Sequence, residues 1–128
     1  MTRIMFVDDE PDIMYLVKKI LEKEGYQVDS VYTGQECIER AGKERPDLIL
    51  LDIMMPDIDG WEVSRTLKSK EETRDIPIVM LTIRTSENSV EKSFDYAYAD
   101  AHIGKPINTT EMLNTIRWVL ENKGRAAG

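Results

Sequence analysis

The stretch Leu48-Ile49-Leu50-Leu51-Asp52-Ile53-Met54-Met55-Pro56 sets four apolar residues against an aspartate and breaks at a proline. A run this short, apolar throughout and closed by a turn signal, reads as a strand buried on both faces. Three other runs are built the same way. Ile4-Met5-Phe6-Val7 ends in Asp8-Asp9, Ile78-Val79-Met80-Leu81 ends in Thr82, and Ala101-His102-Ile103 ends in Gly104-Lys105. In open parallel sheets, ligands bind outside the carboxyl ends of the strands. One edge would therefore collect three carboxylates, a hydroxyl and an ammonium.

Helical patterns separate these runs. Pro11 suits a first helical turn, with Asp9 or Glu10 as its cap. Ile13, Val17, Ile20 and Leu21 follow at helical spacing, and Gly25 closes the helix. Gln27–Val31 alternates in polarity, as a strand near a sheet edge would. Thr33 and Glu36 form a capping-box pattern for a second helix, expected to end near Ala41-Gly42. A third helix turns Val63 and Leu67 inward, and a weaker one is expected at about 86–96. Asn108 and Glu111 cap the last, whose stripe is Met112, Leu113, Ile116, Val119 and Leu120, with Gly124 as its stop. Five alternations predict an α/β, doubly wound (βα)5 sandwich of three layers, with parallel strand order 2-1-3-4-5. Residues 1–124 form the expected domain and 125–128 a frayed tail.

Composition narrows the function. At 128 residues, 41% hydrophobic and 32% charged, the chain is expected to be one soluble globular domain. No apolar stretch approaches the roughly 18 residues of a membrane span, so no membrane insertion is expected. The single cysteine, Cys37, and the lack of a signal-type start fit a cytoplasmic location. A net charge of −7 disfavours direct nucleic-acid binding. Lys18, Lys19 and Lys23 are diluted by Glu22 and Glu24, as on a solvated helix face.

In the expected strand order, Asp8, Asp9 and Asp52 crowd together. Like charges at that spacing favour a hard divalent cation, Mg²⁺ or Mn²⁺, which leaves positions open for a phosphate. Thr82 adds a hydroxyl and Lys105 an ammonium, which makes a phosphoryl site with Asp52 as a possible nucleophile. Each residue taken singly has a plainer reading. Asp8 and Asp9 could cap a helix, Asp52 could mark a strand end, and Lys105-Pro106 could be a turn. Those readings leave unexplained why four strands end this way on one edge.

Phe6-Val7-Asp8-Asp9-Glu10-Pro11, Leu50-Leu51-Asp52-Ile53-Met54-Met55-Pro56 with Asp59-Gly60, Met80-Leu81-Thr82 and Lys105-Pro106 together resemble a response-regulator receiver domain. This is the flavodoxin-like, chemotaxis-regulator-like phosphoacceptor module of two-component signalling, and the likeness runs from Ile4 to about Asn122. The resemblance implies Asp52 as phosphoacceptor, with Asp8, Asp9, Asp52 and the Met54 backbone carbonyl around the metal. It implies that Thr82 and Lys105 contact the phosphoryl group, and that a cis peptide precedes Pro106. The implied donor is a histidine kinase or a phosphotransfer domain. The implied output is an effector protein, or the chain's own dimer, docking on the face of the fourth predicted helix, the fifth strand and the last helix. Such a module is not an enzyme on external substrates; it catalyses only its own phosphorylation and slow autodephosphorylation. The alternative is a pseudo-receiver that binds partners without phosphate.

Three positions depart from the family pattern. His102 stands where Tyr or Phe is usual and is a candidate switch with Thr82. Ile83 replaces a small residue beside the phosphoryl position, so it is expected to slow attack by water. Tyr98 replaces a frequent Gly. Tyr98, Tyr96 and an outward Trp118 are candidate interface residues.

Overall fold

Each apolar run becomes a strand in the structure, a computed structural model that describes residues 1–82, 99–104 and 106–127. The elements are β1 (Arg3–Val7), α1 (Pro11–Lys23), β2 (Gln27–Val31), α2 (Gly34–Glu44), β3 (Leu48–Asp52), α3 (Gly60–Ser69), β4 (Ile78–Thr82), β5 (Ala101–Gly104) and a C-terminal helix (Thr109–Ala127). The strands form one parallel sheet in the order β2-β1-β3-β4-β5, as expected. The helix expected at about 86–96, with Ile83, Tyr96 and Tyr98, lies outside the described residues, as does Lys105.

The alternation of side chains along the strands splits the core in two. Met5, Val7, Ile49, Leu51 and Met80 pack with Cys37 and Ala41 of α2 and with Val63 and Leu67 of α3. Ile4, Phe6, Leu48, Leu50 and Leu81 pack on the other face, with Val17 and Leu21 of α1 and Met112, Ile116 and Val119 of the C-terminal helix. β3 is buried at all five positions, which explains why its sequence shows no alternation. Each such side chain contributes about 1.5–3 kcal/mol. Within the first core, burial pushes the Cys37 thiol up to about 12, with Glu36 adding to the rise, so Cys37 behaves as a packed apolar group.

α1 takes Glu10, one of its two expected caps, at the N-cap position, with no side-chain cap bond. Two helices run further than expected at their C-terminal ends. α2 runs past Gly42 to Glu44 and ends at Arg45, whose φ of 47° is left-handed. One glycine costs a helix only about 1 kcal/mol, and the buried Ala41 together with the Arg40–Glu44 pair holds the extra turn. The C-terminal helix likewise passes Gly124 to Ala127, carried by alanines of high helix propensity. The Thr33 cap forms as expected, its Oγ1 accepting from the Glu36 N–H at 3.1 Å. So does that of Asn108, whose Oδ1 accepts from the Glu111 N–H at 2.9 Å.

Candidate functional site

Parallel pairing sets Val7 beside Leu51, so the residues that follow each strand emerge together. Asp8 is fully buried and Asp52 is 3% exposed, while Asp9 lies open to solvent. The Asp8 backbone N–H is tied to the Val31 carbonyl at 3.0 Å. Its Oδ1 accepts from the Glu10 N–H at 2.9 Å, which fixes the chain's turn into α1. One carboxylate oxygen from each of Asp8, Asp9 and Asp52 lies within 4.8 Å of the others. Burying two of three adjacent carboxylates is costly unless a cation joins them. The donor set is all hard oxygen, which fits Mg²⁺ or Mn²⁺ and not a thiolate- or imidazole-seeking metal.

Of the other sequence-predicted residues, Thr82 and His102 lie on β4 and β5, Pro106 follows β5, and Trp118 is on the C-terminal helix. Thr82 closes β4, paired with Gly104 at the end of β5, so their backbones reach the same edge as Asp52. Pro106 is exposed just beyond that edge. His102 is half-buried on β5 and pairs with Met80. Burial pushes its imidazole below the usual 6.5. Trp118 is 54% exposed, so the outward position predicted from the helical wheel is what the structure shows.

The family described as response regulator receiver domain matches residues 4–117. The chain belongs to that family. Among curated relatives, this receiver is 38% identical over 125 residues to the DNA-binding dual master transcriptional regulator RpaA of Synechocystis sp., covering 98% of the chain and 52% of RpaA. It is 35% identical over 120 residues to Protein PilH of Pseudomonas aeruginosa, covering 94% of the chain and 98% of PilH. The receiver thus spans about half the length of some curated relatives, RpaA among them, and nearly all of PilH. The chemotaxis protein CheY4 of Vibrio cholerae superposes with a TM-score of 0.87 at 30% identity, covering 93% of this chain and 98% of that one. The receiver domain of the sensor histidine kinase PA1611 of Pseudomonas aeruginosa superposes equally well, at 0.87 and 25% identity, covering 94% of this chain and 98% of that one. That structure holds a magnesium ion in its active-site cleft.

The receiver's loop after β3 has structure that the sequence reading left unassigned. A Cβ on Gly60 would stand 2.5 Å from the Asp52 carbonyl oxygen and 2.7 Å from the Ile53 Cα, so only glycine permits this approach. Asp59 caps α3, accepting from the Glu62 N–H at 2.9 Å. Asp57 accepts from the N–H groups of Gly34 at 3.1 Å and Gln35 at 2.9 Å. Although burial acts to raise the Asp57 carboxyl, these backbone donors hold it below its usual value. A separate 420 Å³ cleft lined by Thr2, Asp47, Glu71 and Pro77 opens at the amino ends of the strands. It lies at the wrong edge of a parallel sheet for the site built here. No helix among the described residues is long and apolar enough to cross a membrane.

Proposed function

We propose that this receiver takes a phosphoryl group onto Asp52 from a phosphohistidine on a histidine kinase or phosphotransfer domain. The observation that carries the reading is the convergence of the Asp8, Asp9 and Asp52 oxygens within 4.8 Å at the carboxyl ends of two buried central strands. A carboxylate oxygen of Asp52 forms the new O–P bond as the P–N bond of the donor breaks, and the departing imidazole takes up a proton. Asp8, Asp9, Asp52 and the Met54 backbone carbonyl would hold the cation. Mg²⁺ or Mn²⁺ there would neutralise charge on the transferring group. The magnesium in the PA1611 receiver supports this assignment.

Thr82 and Lys105 contact the phosphoryl group once transferred, with the Lys105-Pro106 peptide aiming the lysine. The added charge, about −1.5 to −2, favours a state in which Thr82 is drawn inward and His102 changes rotamer. Partners, either an effector or a second copy, read that state at the face that carries Trp118, with Tyr96 and Tyr98 as further contacts. Action in the cytoplasm fits this chemistry. Acetyl phosphate with Mg²⁺, read by intact mass, tests the core of the reading. Wild type should gain one phosphoryl group and Asp52→Asn none; a wild type that gains none is a pseudo-receiver.

A further inference from the structure

Helix α2 begins with N–H groups that have no intrahelical partner. Thr33 serves one of them, its Oγ1 accepting from Glu36 at 3.1 Å, while its carbonyl accepts the first regular helical bond, from Cys37 at 3.1 Å. The first two, on Gly34 and Gln35, are served by the two oxygens of Asp57, more than twenty residues along the chain. A carboxylate on a helix N-terminus gains from the helix dipole and from charge-assisted bonds. Here it also ties α2 to the loop that follows the acceptor strand.

That loop is held at two other places. The Gly60 N–H donates to the Ile53 carbonyl at 2.8 Å, folding the loop back on β3. Met55 is buried in the core, and Ile58 packs half-buried against it. Gly34 presses on the same region: a Cβ there would stand 2.7 Å from Val63 Cγ2 and 3.1 Å from the Ile58 carbonyl oxygen. With no side chain between them, helix end and loop meet at backbone distance.

We propose that Asp57 is a positioning residue for the cation site: by docking the loop on α2, it holds the backbone beyond Asp52 in the shape that completes metal coordination. The inference rests on the metal assignment proposed above. It has a reciprocal consequence, since whatever Asp57 contributes to cation affinity, the cation returns as stability of the Asp57–α2 contact. α2 thereby senses occupancy of a site to which it supplies no ligand.

Calorimetric titration with MgCl₂, at a temperature where circular dichroism shows each variant folded, provides the test. Asp57→Ala should weaken Mg²⁺ binding about fivefold, at the low end of typical coupling between sites. Asp57→Asn, which keeps one acceptor oxygen but turns an amide toward the second N–H, should fall between it and wild type. In wild type, Mg²⁺ should slow hydrogen exchange at the Gly34 and Gln35 amides, and in Asp57→Ala it should not. Wild-type affinity in Asp57→Ala, to within about twofold, overturns the inference, as does unchanged exchange at Gly34 and Gln35 when wild type binds Mg²⁺. Should Asp57→Ala not fold, Asp57→Asn and the wild-type exchange decide alone. A wild type that binds no Mg²⁺ overturns the metal assignment and this inference together.

Discussion

The acidic end of the site and the β5 end are built on strands of different kinds. Asp8 and Asp52 leave β1 and β3, where four of five and five of five residues are buried. β5, at the edge of the sheet, buries only Ile103 of its four residues. Close packing on both faces leaves a central strand no alternative position, so the carboxylates it delivers are fixed before any ligand arrives. An edge strand has freedom to respond. The proposed division of labour follows that contrast, with capture of the cation and phosphoryl group at the packed end and readout at the edge.

The contrast can be tested by substitution. Leu51→Ala, in the first core, should cost about 2–5 kcal/mol in urea unfolding. His102→Ala, on the edge strand, should cost under about 1 kcal/mol. Equal losses would remove the distinction between the two ends. The next largest effect concerns the cation. Mg²⁺ at about 100 times its dissociation constant should stabilise wild type by about 2.7 kcal/mol, seen as a rise in Tm. Asp9→Ala should abolish that rise with little loss in metal-free stability, because Asp9 is exposed. A Tm rise that survives Asp9→Ala would mean the cation binds elsewhere.

The smallest effect is the pH response of the β5 end. The folded His102 imidazole lies below its usual 6.5, so the unfolded chain binds the proton more readily than the native one. The stabilising contribution of neutral His102 is therefore complete above about pH 6.5 and is lost as pH falls from there toward the lowered folded value. His102→Gln should flatten stability against pH in that window. An unchanged slope would show that His102 titrates as it does in the unfolded chain.

Much of this was legible in the chain. The strand runs, the strand order and the meeting of Asp8, Asp9 and Asp52 follow from apolar runs, turn residues and the chirality of crossovers. The exposed Trp118 followed from helical periodicity. What escaped were contacts with distant partners. Asp57 reads in sequence as one more loop aspartate, because the N–H groups it serves belong to Gly34 and Gln35. The cap of α1 falls on Glu10, one of its two expected positions, but the sequence did not show that Asp8 spends its side chain on the Glu10 N–H or that Glu10 holds the cap position without a side-chain bond.

The edge strand β2 shows both halves at once. Its alternating sequence placed it at a sheet edge. Only the tertiary structure shows how that edge is covered: Arg40 on α2, flanked by Glu36 and Glu44, donates to the Ser30 carbonyl at 3.1 Å. Because the neighbouring Val31 carbonyl accepts from Asp8 inside the sheet, that of Ser30 faces outward, where another chain could otherwise pair. By itself, the sequence determined which residues stand at the carboxyl edge, since local hydrophobic periodicity and turn chemistry are encoded within a few positions. The tertiary structure decided how tightly each is held and by what, because burial and long-range hydrogen bonds arise only when segments far apart in the chain are packed together.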